Sequence, residues 1–537
     1  MLLKYGEGFI NYDEYQKIEY NGLNIYYRGV FWMRGKKAGR ESIEYFAEKY
    51  MESGSIPYIE LFGAFSCIVE HPGSKVILFT DNSNMHCFFI GDKALGTNFL
   101  EVAKANEVGS FELDALCEFI SLGGVYFGKT LLEGINLTEN DKVYIFEEGT
   151  IRIVEKGIGG IDGHSTITDV NEFFREMAYA LSERKVTLSL TGGYDSRMVF
   201  ACLNNYISID TFISGDNETE SDFVVSQRVV LAAGKKQEMI RTPKPYISED
   251  YIKYLFEYAQ GVVPFINDGY MRVSSFIKDR ADKGYDCYLT GDGGPRHKDW
   301  YWVQDLPFYR KKHTNVAKFY DQRIEDIKTH LPWGSTLEPK YTQMRRRMIL
   351  TLNKFVKQLN TQSYDSFGFN LLGDSTVKLP YTPYSKFISS YAPLWELELV
   401  RYSYHLPRRK RFFYNSMRDI TTKANPAIAR IPTGYGTTAS NEAPYVIRDV
   451  FFQIVDYFKK ACRLVSRKVL KKSLFVGRVT TWSTEQEVRE LDLSKKALEY
   501  CIQKGYIAEG TNLSEISYSL LGRIIQIYML ADYLEIR

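Results

Sequence analysis

Two glycines followed by an acid and a hydroxyl form the most informative motif of this sequence, in LSLTGGYDSRMV from Leu188 to Val199. An apolar run typical of a buried strand precedes it, and a helical pattern follows it. Gly192 and Gly193 lack a Cβ, so main-chain N–H groups can approach an anion, and a helix dipole favours negative charge there. Asp195 has the ligand chemistry to hold a Mg²⁺ ion that bridges phosphate oxygens. The segment therefore predicts a phosphate-binding loop.

An ordinary glycine turn between a strand and a helix is the competing interpretation. Against it, Thr191, Asp195 and Ser196 stand at defined offsets from the two glycines. The loop is not a Walker loop, because GxxxxGK[ST] is absent, and it is not a dinucleotide fingerprint, because GxGxxG does not open this helix.

TGGYDS resembles the SGGxDS pyrophosphate loop of ATP pyrophosphatases, and its surroundings resemble the asparagine synthetase family in particular. GDGG at 291–294 is similar to the family's second phosphate-facing loop. Three further stretches are similar to family segments: LFGAFSCIVEHPGSKVILFTD, which ends at Asp81, TLLEGINLTENDKVYIFEEG from Thr130, and APLWELELVRYSYHLP, with Pro393, Glu396, Leu406 and Pro407 at the family's spacing. Met417 and Arg418 stand at the family's Leu-Arg pair, nine residues before Pro426.

This resemblance implies an ATP-dependent ligase that adenylates a carboxylate, releases pyrophosphate and lets an amine displace AMP. ATP and Mg²⁺ are the implied cofactors. The substrates would be a carboxylate-bearing small molecule, peptide or saccharide and an amine or ammonia. The implied fold class is α/β: a glutaminase-like (Ntn-type) α+β sandwich domain over 1–160, followed over 161–537 by a parallel-sheet ATP-pyrophosphatase (adenine nucleotide alpha hydrolase-like) domain with a helical tail.

The resemblance also implies a set of site residues. Leu190 and the strand end at Ser214 and Gly215 are expected to contact the adenosine, and Gly291 and Asp292 the pyrophosphate. The full cofactor-binding set is Leu190, Thr191, Gly192, Gly193, Asp195, Ser196, Arg197, Ser214, Gly215, Gly291 and Asp292. Asp195 and Asp292 are the candidate metal ligands, and the catalytic candidates are Asp195, Arg296, Lys410 and Lys423.

The sequence departs from the family pattern at its amino terminus. Glutamine-using members carry a cysteine directly after the initiator methionine, because its thiolate attacks the amide and its free amine serves as base. Leu2 occupies that position here. We therefore expect no glutaminase activity, as in the β-lactam synthetase and lasso-peptide cyclase branches, which take their amine from the substrate or from solution.

The second loop also departs from the family, where GDGG usually continues with Asp-Glu. Pro295 and Arg296 follow here, so a metal-binding acid is missing. Asp292 or Asp299 would substitute for it, or Arg296 would bind phosphate directly as a fixed cation. Loss of catalysis with a retained scaffold is the competing interpretation.

Spacing back from Met417 places Tyr414 where the family has a lysine that stabilises the adenylated intermediate. Lys410 and Lys423 are the nearest candidates to replace it, and a solvated basic face around 408–411 is the alternative. Arg197 is a further cation near the expected pyrophosphate.

Histidines and aromatic residues give weaker signals. No metal-ligand spacing is found among His86, His164, His297, His313, His330 and His405, and of these His297 is kept as a site candidate because it lies beside the second loop. The aromatic and basic stretch from Trp300 to about Met348, with DWYW and RRRM, would either pack its aromatics inward or bind a peptide or nucleic acid.

Positioning elements follow from periodicity. Strand runs bounded by turn residues predict an antiparallel sheet over the first 155 residues, and 157–169 is the expected linker. Asp169 and Glu172 have capping-box spacing before an amphipathic helix. Strands from Val186, Ile207 and Tyr285 alternate with helices and predict a parallel sheet, and the chain beyond Arg448 reads as helical.

Composition excludes several classes. The 537 residues carry 68 Lys+Arg against 66 Asp+Glu, a formal charge of +2, which gives no sign of a nucleic-acid partner. Seven dispersed cysteines without CxxC argue against a disulfide scaffold or zinc ribbon. No signal peptide or membrane span is recognisable, so we expect a cytoplasmic protein without a membrane partner. Oligomeric state is not specified by the sequence.

Two other functions compete with the ligase. One is a catalytically inactive partner in a biosynthetic complex. The other is ATP-driven thiolation of tRNA, which shares the loop type but has no support from charge or from a catalytic CxxC.

Overall fold

The structure is a computed structural model, and it describes residues 2–4, 15–73, 75–147, 150–215, 221–298, 315–321, 331–355, 378–469 and 483–536. Asp299, Trp300 and the rest of DWYW, His313 and His330 lie outside these residues. Within them the chain is a mixed α/β protein with one parallel and two antiparallel sheets.

A six-stranded antiparallel sheet dominates the first part of the chain. Its strands are Gln16–Tyr20 (β2), Leu23–Met33 (β3), Leu61–Glu70 (β4), Val76–Thr80 (β5), Lys142–Glu147 (β9) and Thr150–Glu155 (β10). They lie in the order β10-β9-β5-β4-β3-β2, and β9 and β10 form a hairpin. A smaller antiparallel sheet has the order β1-β7-β6-β8 and contains Leu2–Lys4 (β1), Phe89–Ile90 (β6), Ala94–Gly96 (β7) and Asn136–Leu137 (β8). The expected antiparallel architecture of this region is confirmed.

Three helices accompany these sheets, in keeping with the α+β class expected for this region, although the strand patterns of the first 155 residues did not locate them. They are Arg40–Ser53 (α1), Phe99–Ala105 (α2) and Leu113–Leu122 (α3). In α1 the buried residues Ile43, Phe46, Ala47 and Tyr50 recur at helical spacing and pack on the six-stranded sheet. That 3.6-residue period was visible in the sequence.

A five-stranded parallel sheet lies at the centre of the second part, in the order β13-β12-β11-β14-β15. Its strands are Val186–Ser189 (β11), Ile209–Gly215 (β12), Gln237–Arg241 (β13), Cys287–Leu289 (β14) and Ser389–Tyr391 (β15). The three predicted strands and their parallel arrangement are confirmed, and β13 and β15 add one strand at each edge. The order reverses between β12 and β14, on either side of β11, which is where ligands bind in open parallel sheets.

Helices surround this sheet. Those before β15 are Val170–Leu181 (α4), Asp195–Leu203 (α5), Ser221–Ala232 (α6), Glu249–Ala259 (α7), Asp268–Asp282 (α8), Val316–Phe319 (α9), Glu338–Phe355 (α10) and Tyr381–Tyr384 (α11). Those after it are Leu397–His405 (α12), Arg408–Arg411 (α13), Asn415–Ala424 (α14), Pro426–Arg430 (α15), Ala443–Val469 (α16), Glu485–Glu490 (α17), Asp492–Gln503 (α18) and Tyr518–Leu534 (α19). The helical pattern predicted beyond Arg448 is confirmed.

Helix α4 illustrates how far local patterns specify an element. Its predicted apolar face is buried throughout, at Val170, Phe173, Phe174, Met177 and Leu181. Asp169 is the N-cap, and its side chain accepts a hydrogen bond from the N–H of Asn171 at 2.8 Å. Glu172 pairs with Arg175 instead of closing a capping box.

The two parts of the chain share continuous apolar cores. One core joins α2 and α3 to α7, α8 and α19, and another joins β3 and β4 to α4, α5 and β11. The edge strand β15 also packs against β3 and β4. The parallel sheet is therefore fixed against the antiparallel one by packing, which positions the loops at its carboxyl edge.

Candidate functional site

The glycine loop 191–194 leaves the carboxyl end of β11 and leads directly into α5, as the sequence predicts. The Thr191 N–H donates to the Ser196 hydroxyl oxygen at 3.1 Å, and the two hydroxyl oxygens lie 3.2 Å apart. The Gly193 N–H donates to the Thr191 hydroxyl at 3.4 Å. These bonds close the loop on itself, so Thr191 and Ser196 act first as its internal supports.

The second glycine loop, 291–294, follows β14 and packs onto the first. A Cβ at Gly291 would overlap the backbone of Ser196, and one at Gly294 would overlap the carboxylate of Asp195. Gly293 has φ +92 and faces the backbone of Leu394 at 2.7 Å from the position of a Cβ. Glycine is therefore required at all three positions by close approach, and the structure brings together the two loops that the sequence singled out.

Asp195 lies between these loops as the first residue of α5. Its Oδ1 is buried and has no hydrogen-bond partner. Burial raises the pKa of the carboxyl to about 6; the Lys298 ammonium acts in the opposite direction, and the Asp292 carboxylate adds to the rise. Burial of a carboxylate oxygen without a hydrogen-bond partner destabilises the folded state. Its presence here therefore indicates a site where a ligand supplies a cation or a hydrogen-bond donor.

Asp292 approaches the same site from the second loop; the residue as a whole is exposed, but its carboxylate points inward. Its Oδ2 accepts a hydrogen bond from the buried Tyr381 hydroxyl at 2.7 Å, and Tyr381 lies 2.9 Å from the Thr290 hydroxyl. Burial of the carboxylate raises its pKa, whereas the hydrogen bonds from Tyr381 and Thr290 lower it. Asp292 is thus held in one orientation, which sequence reasoning had no signal to predict.

Lys298 is the cation that sequence reasoning missed. Its ammonium interacts with the Asp195 carboxylate, which partly offsets the lowering of its pKa by burial. It donates to the Tyr414 hydroxyl at 2.9 Å. The Tyr414 ring in turn stacks on Tyr194, with centroids 4.3 Å apart and planes 8° from parallel. The only sequence signal was a lysine four residues after the last loop glycine.

Tyr414, the residue that sequence spacing set in place of a lysine, therefore binds a lysine from elsewhere in the chain. It adopts φ +61, next to Phe413 at φ +51, a left-handed backbone that non-glycine residues rarely adopt. Such outliers concentrate at functional sites. The Tyr194 hydroxyl completes the arrangement by donating to Thr437 at 2.7 Å and to the Thr438 carbonyl at 2.9 Å.

The other two lysine candidates are exposed side chains. Lys410 pairs with Asp419 at 3.0 Å, and Lys423 is exposed in the last turn of α14. No hydrogen bond or ion pair within the described ranges joins either lysine to the glycine loops. The structure brings Lys298 to Asp195 but does not bring Lys410 or Lys423 there, and their catalytic roles stay predictions.

The two candidate arginines are buried and already engaged. Arg197 donates to the carbonyls of Ile431 and Pro432 and, at 3.3 Å, to that of Gly192. Burial lowers its pKa to about 10. Arg296 places its guanidinium 4.8 Å from the centre of the Trp395 ring. Arg197 thus orients the first loop through Gly192, and Arg296 is occupied by a cation–π contact.

His297 is a satisfied core histidine. Its Nδ1 lies 2.5 Å from the Ser403 hydroxyl and its Nε2 lies 2.9 Å from the Leu394 carbonyl, and burial lowers its pKa to about 4. Among the described residues no group of three or more His, Cys, Asp or Glu side chains has metal-binding geometry.

The expected adenosine contacts are only partly described. The Leu190 side chain is buried in the core, its N–H donates to the Phe212 carbonyl at 2.9 Å and its carbonyl accepts from Gln237 at 3.0 Å. Ser214 and Gly215 end β12 in register with Ile240 and Arg241. Gly192 faces Asp222, at 2.9 Å from the position of a Cβ to Oδ1, so α6 lies beside the loop.

The residues present fit a Mg²⁺ ion that arrives with a nucleotide. Mg²⁺ keeps several waters and takes one or two carboxylates plus substrate phosphates, which matches Asp195 with its unpartnered oxygen and Asp292 nearby. A preformed all-protein metal cage is not present among the described residues.

The cysteines are not part of this site. Cys67, Cys87, Cys117, Cys202, Cys287 and Cys501 are buried, and none of the seven cysteines forms a disulfide. Burial raises the pKa of the Cys117 and Cys287 thiols to about 12, so they stay protonated. Leu2 lies in β1, paired with Gly96 of β7.

Comparison with known proteins assigns no family. No protein-family model matches the chain, and no curated protein matches it.

Proposed function

We propose that this protein is an ATP-dependent ligase of the asparagine synthetase type, which adenylates a carboxylate and joins it to an amine. The observation that carries the proposal is the buried, unpartnered Oδ1 of Asp195 between two interlocked glycine loops at the carboxyl edge of a parallel sheet. Such a site combines loop N–H donors, a helix N-terminus and one free carboxylate oxygen, which suits a metal-bound pyrophosphate.

In the proposed reaction a substrate carboxylate oxygen attacks the α-phosphorus of ATP, and pyrophosphate leaves. An amine then attacks the acyl carbon, AMP leaves, and the amine gives up a proton. Bound Mg²⁺ would supply charge neutralisation on the departing pyrophosphate. Asp195 would hold it, with Asp292 positioned by Tyr381, and Lys298 would add a fixed positive charge that replaces the acids missing after GDGG.

The finer architecture is part of the same proposal. Residues 1–160 would be a glutaminase-type domain without its nucleophile, and 161–537 the synthetase domain. Two antiparallel sheets with helices are compatible with the first, and the β13-β12-β11-β14-β15 order is compatible with the second. In this proposal the amine would come from the substrate or from free ammonia.

The test is nucleotide cleavage by the purified full chain. With Mg²⁺, ATP and a panel of carboxylates and amines, we expect AMP and pyrophosphate to appear together and only when a substrate is present. Asp195→Ala should abolish both, whereas Asp492→Ala, which changes an exposed acid of α18 paired with Lys495, should leave both unchanged.

A catalytically inactive scaffold is the second candidate, and one observation favours it. Arg296, which would have bound phosphate in place of the missing acids, stacks on Trp395 instead. Calorimetry with ATP and Mg²⁺ distinguishes the ligase from a scaffold whose glycine loops have lost nucleotide binding, because such a scaffold shows no Mg²⁺-dependent binding of ATP. ATP that binds but is never cleaved across a broad panel would favour the scaffold.

A further inference from the structure

Helix α16 is attached to the protein through its polar side. Asp449 is its one buried residue among those from Ala443 to Lys459 whose side chains are described. The Asp449 carboxylate forms an ion pair with Arg418 and accepts hydrogen bonds from the Thr438 N–H at 2.8 Å and the Thr438 hydroxyl at 2.6 Å. The helix is therefore anchored by a buried charge network and not by apolar packing.

Its apolar side faces solvent. The exposed fractions of Ile447, Phe451, Ile454 and Phe458 are 73%, 66%, 60% and 69%. Their spacing of four, three and four residues places them on one face of the helix. A surface helix normally turns that face to the core, and a contiguous exposed apolar face marks an interaction site.

The charge of α16 indicates what covers this face. Its sequence contains two acids, Asp449 and Asp456, and Asp449 forms ion pairs with Arg418 and with Arg448 of the same helix. The basic residues outnumber them threefold: Arg448, Lys459, Lys460, Arg463, Arg467 and Lys468. An amphipathic helix with phenylalanines on one face and excess Lys and Arg is the composition that lies in the interface of an anionic membrane.

A second copy of the chain fits this face less well. A parallel pair would set each exposed Lys459 against its counterpart, and a pair in either orientation would bring together two helices with an excess of basic residues. Like charges in apposition disfavour such a pair. The same repulsion is absent against anionic phospholipid.

We propose that α16 is a membrane-surface helix, which binds anionic phospholipid by inserting Phe451 and Phe458 between headgroups while its basic residues contact the phosphates. No helix among the described residues is long and apolar enough to cross a membrane, so this contact is peripheral. The expectation of no membrane partner is compatible with the lack of a spanning helix among the described residues, and the proposal departs from it only for peripheral contact. The proposal does not depend on the ligase activity.

Co-sedimentation of the full chain with vesicles tests it. We expect binding to an equal mixture of phosphatidylglycerol and phosphatidylcholine and about tenfold weaker binding to phosphatidylcholine alone, with further loss at high salt. Phe451→Glu with Phe458→Glu should lower binding to the mixed vesicles about tenfold or more, and Lys459→Glu with Lys460→Glu should do so only for anionic vesicles. Tyr246→Glu, at the most exposed large apolar residue outside α16, is the matched control.

Each other outcome overturns the proposal. No binding of the folded wild type to either vesicle excludes a lipid surface. Equal loss in Tyr246→Glu shows that the effect is not specific to α16. A wild-type dimer in sedimentation equilibrium that becomes monomeric in the Phe451→Glu, Phe458→Glu variant assigns the face to a second copy, and unaltered vesicle binding by that variant assigns lipid binding to another surface. Circular dichroism of each variant verifies that it is folded, which exposure of the changed residues favours.

Discussion

Gly294 lies directly against Asp195, so closely that a Cβ on the glycine would overlap the aspartate carboxylate. The second loop thereby closes over the first and removes Oδ1 of Asp195 from water without giving it a hydrogen-bond donor. The same loop brings Lys298 within electrostatic reach of that carboxylate four residues later. The arrangement joins the carboxylate of Asp195 and the half-buried ammonium of Lys298, from two loops that are about 100 residues apart in sequence.

Gly294→Ala should damage the site through sterics alone. The added methyl has to displace Asp195 or the whole second loop, and overpacking of this kind costs about 1–3 kcal/mol in free energy of unfolding. Calorimetric affinity for ATP with Mg²⁺ should fall about tenfold or more. Gly109→Ala is the control, since nothing lies within 4 Å of a Cβ there and its φ is ordinary. Equal behaviour of the two variants would contradict the close contact.

Lys298→Met should weaken nucleotide binding more than either surface lysine change. Its ammonium is half-buried and faces Asp195 and Tyr414, where charge–phosphate interaction is strong. We expect the affinity for ATP with Mg²⁺ to fall about tenfold in Lys298→Met and to stay within about twofold of wild type in Lys410→Met and Lys423→Met. Calorimetry measures these affinities. A larger loss in Lys410→Met or Lys423→Met than in Lys298→Met would assign phosphate binding to one of the lysines that sequence spacing favoured.

Asp195→Asn should stabilise the fold at neutral pH while abolishing function. Burial raises the pKa of this carboxyl from its usual value near 4 to about 6, so the folded state binds the proton more tightly than the unfolded state does. Stability therefore falls as pH rises from about 4 to 6 and stays reduced above. Removing the charge should increase the free energy of unfolding at pH 7.5 by up to about 3 kcal/mol, and the gain should vanish below pH 4.

Chemical denaturation of both proteins across this pH range measures that difference. Asp492→Asn, at an exposed acid, is the matched control and should show no such pH-dependent gain. A gain that does not change with pH would mean that ionisation of Asp195 is not its cause.

Wild type should lose stability at alkaline pH, and Glu396→Gln should not. Glu396 is buried between the two parts of the chain, where its Oε1 accepts from the Gly63 N–H and the Tyr391 hydroxyl, each at 2.7 Å. Burial raises the pKa of its carboxyl to about 8. The proton is bound more tightly in the folded state, so stability contributed by the protonated form decreases as pH rises from about 5 through 8.

Glutamine is neutral and retains the acceptor oxygen, so the variant should match wild type at pH 4, below the usual pKa of a glutamate, and exceed it in melting temperature at pH 9. Glu509→Gln, an exposed change, should follow wild type at both pH values. Equal alkaline melting temperatures in all three proteins would contradict the raised pKa.

The sequence predicted what depends on short segments. Periodicity was enough for β11, β12, β14 and α4, and the glycine spacing was enough to find both loops. The helix α1 was missed although Ile43, Phe46, Ala47 and Tyr50 have helical spacing, because the aromatic and β-branched content of the region favoured strands.

What the sequence could not supply is the pairing of residues far apart in the chain. Tyr414 and Lys298 are separated by 116 positions, and Glu396 and Gly63 by 333. Arg197, Arg296 and His297 looked like site residues from their positions beside the loops, yet each side chain bonds or packs within the core. Tertiary packing determines the direction in which a side chain points from a tight loop. For that reason the sequence did not show that Lys298, and not Arg197 or Arg296, faces Asp195.

The most direct test of the proposed ligase is simultaneous quantification of AMP and pyrophosphate from ATP, with carboxylate and amine varied. We expect the two products in equal amounts, dependent on substrate and Mg²⁺, present in Asp492→Asn and absent in Asp195→Asn. Release of ADP and phosphate instead, or binding of ATP with Mg²⁺ without cleavage across the whole panel, would contradict the ligase and favour a nucleotide-binding scaffold.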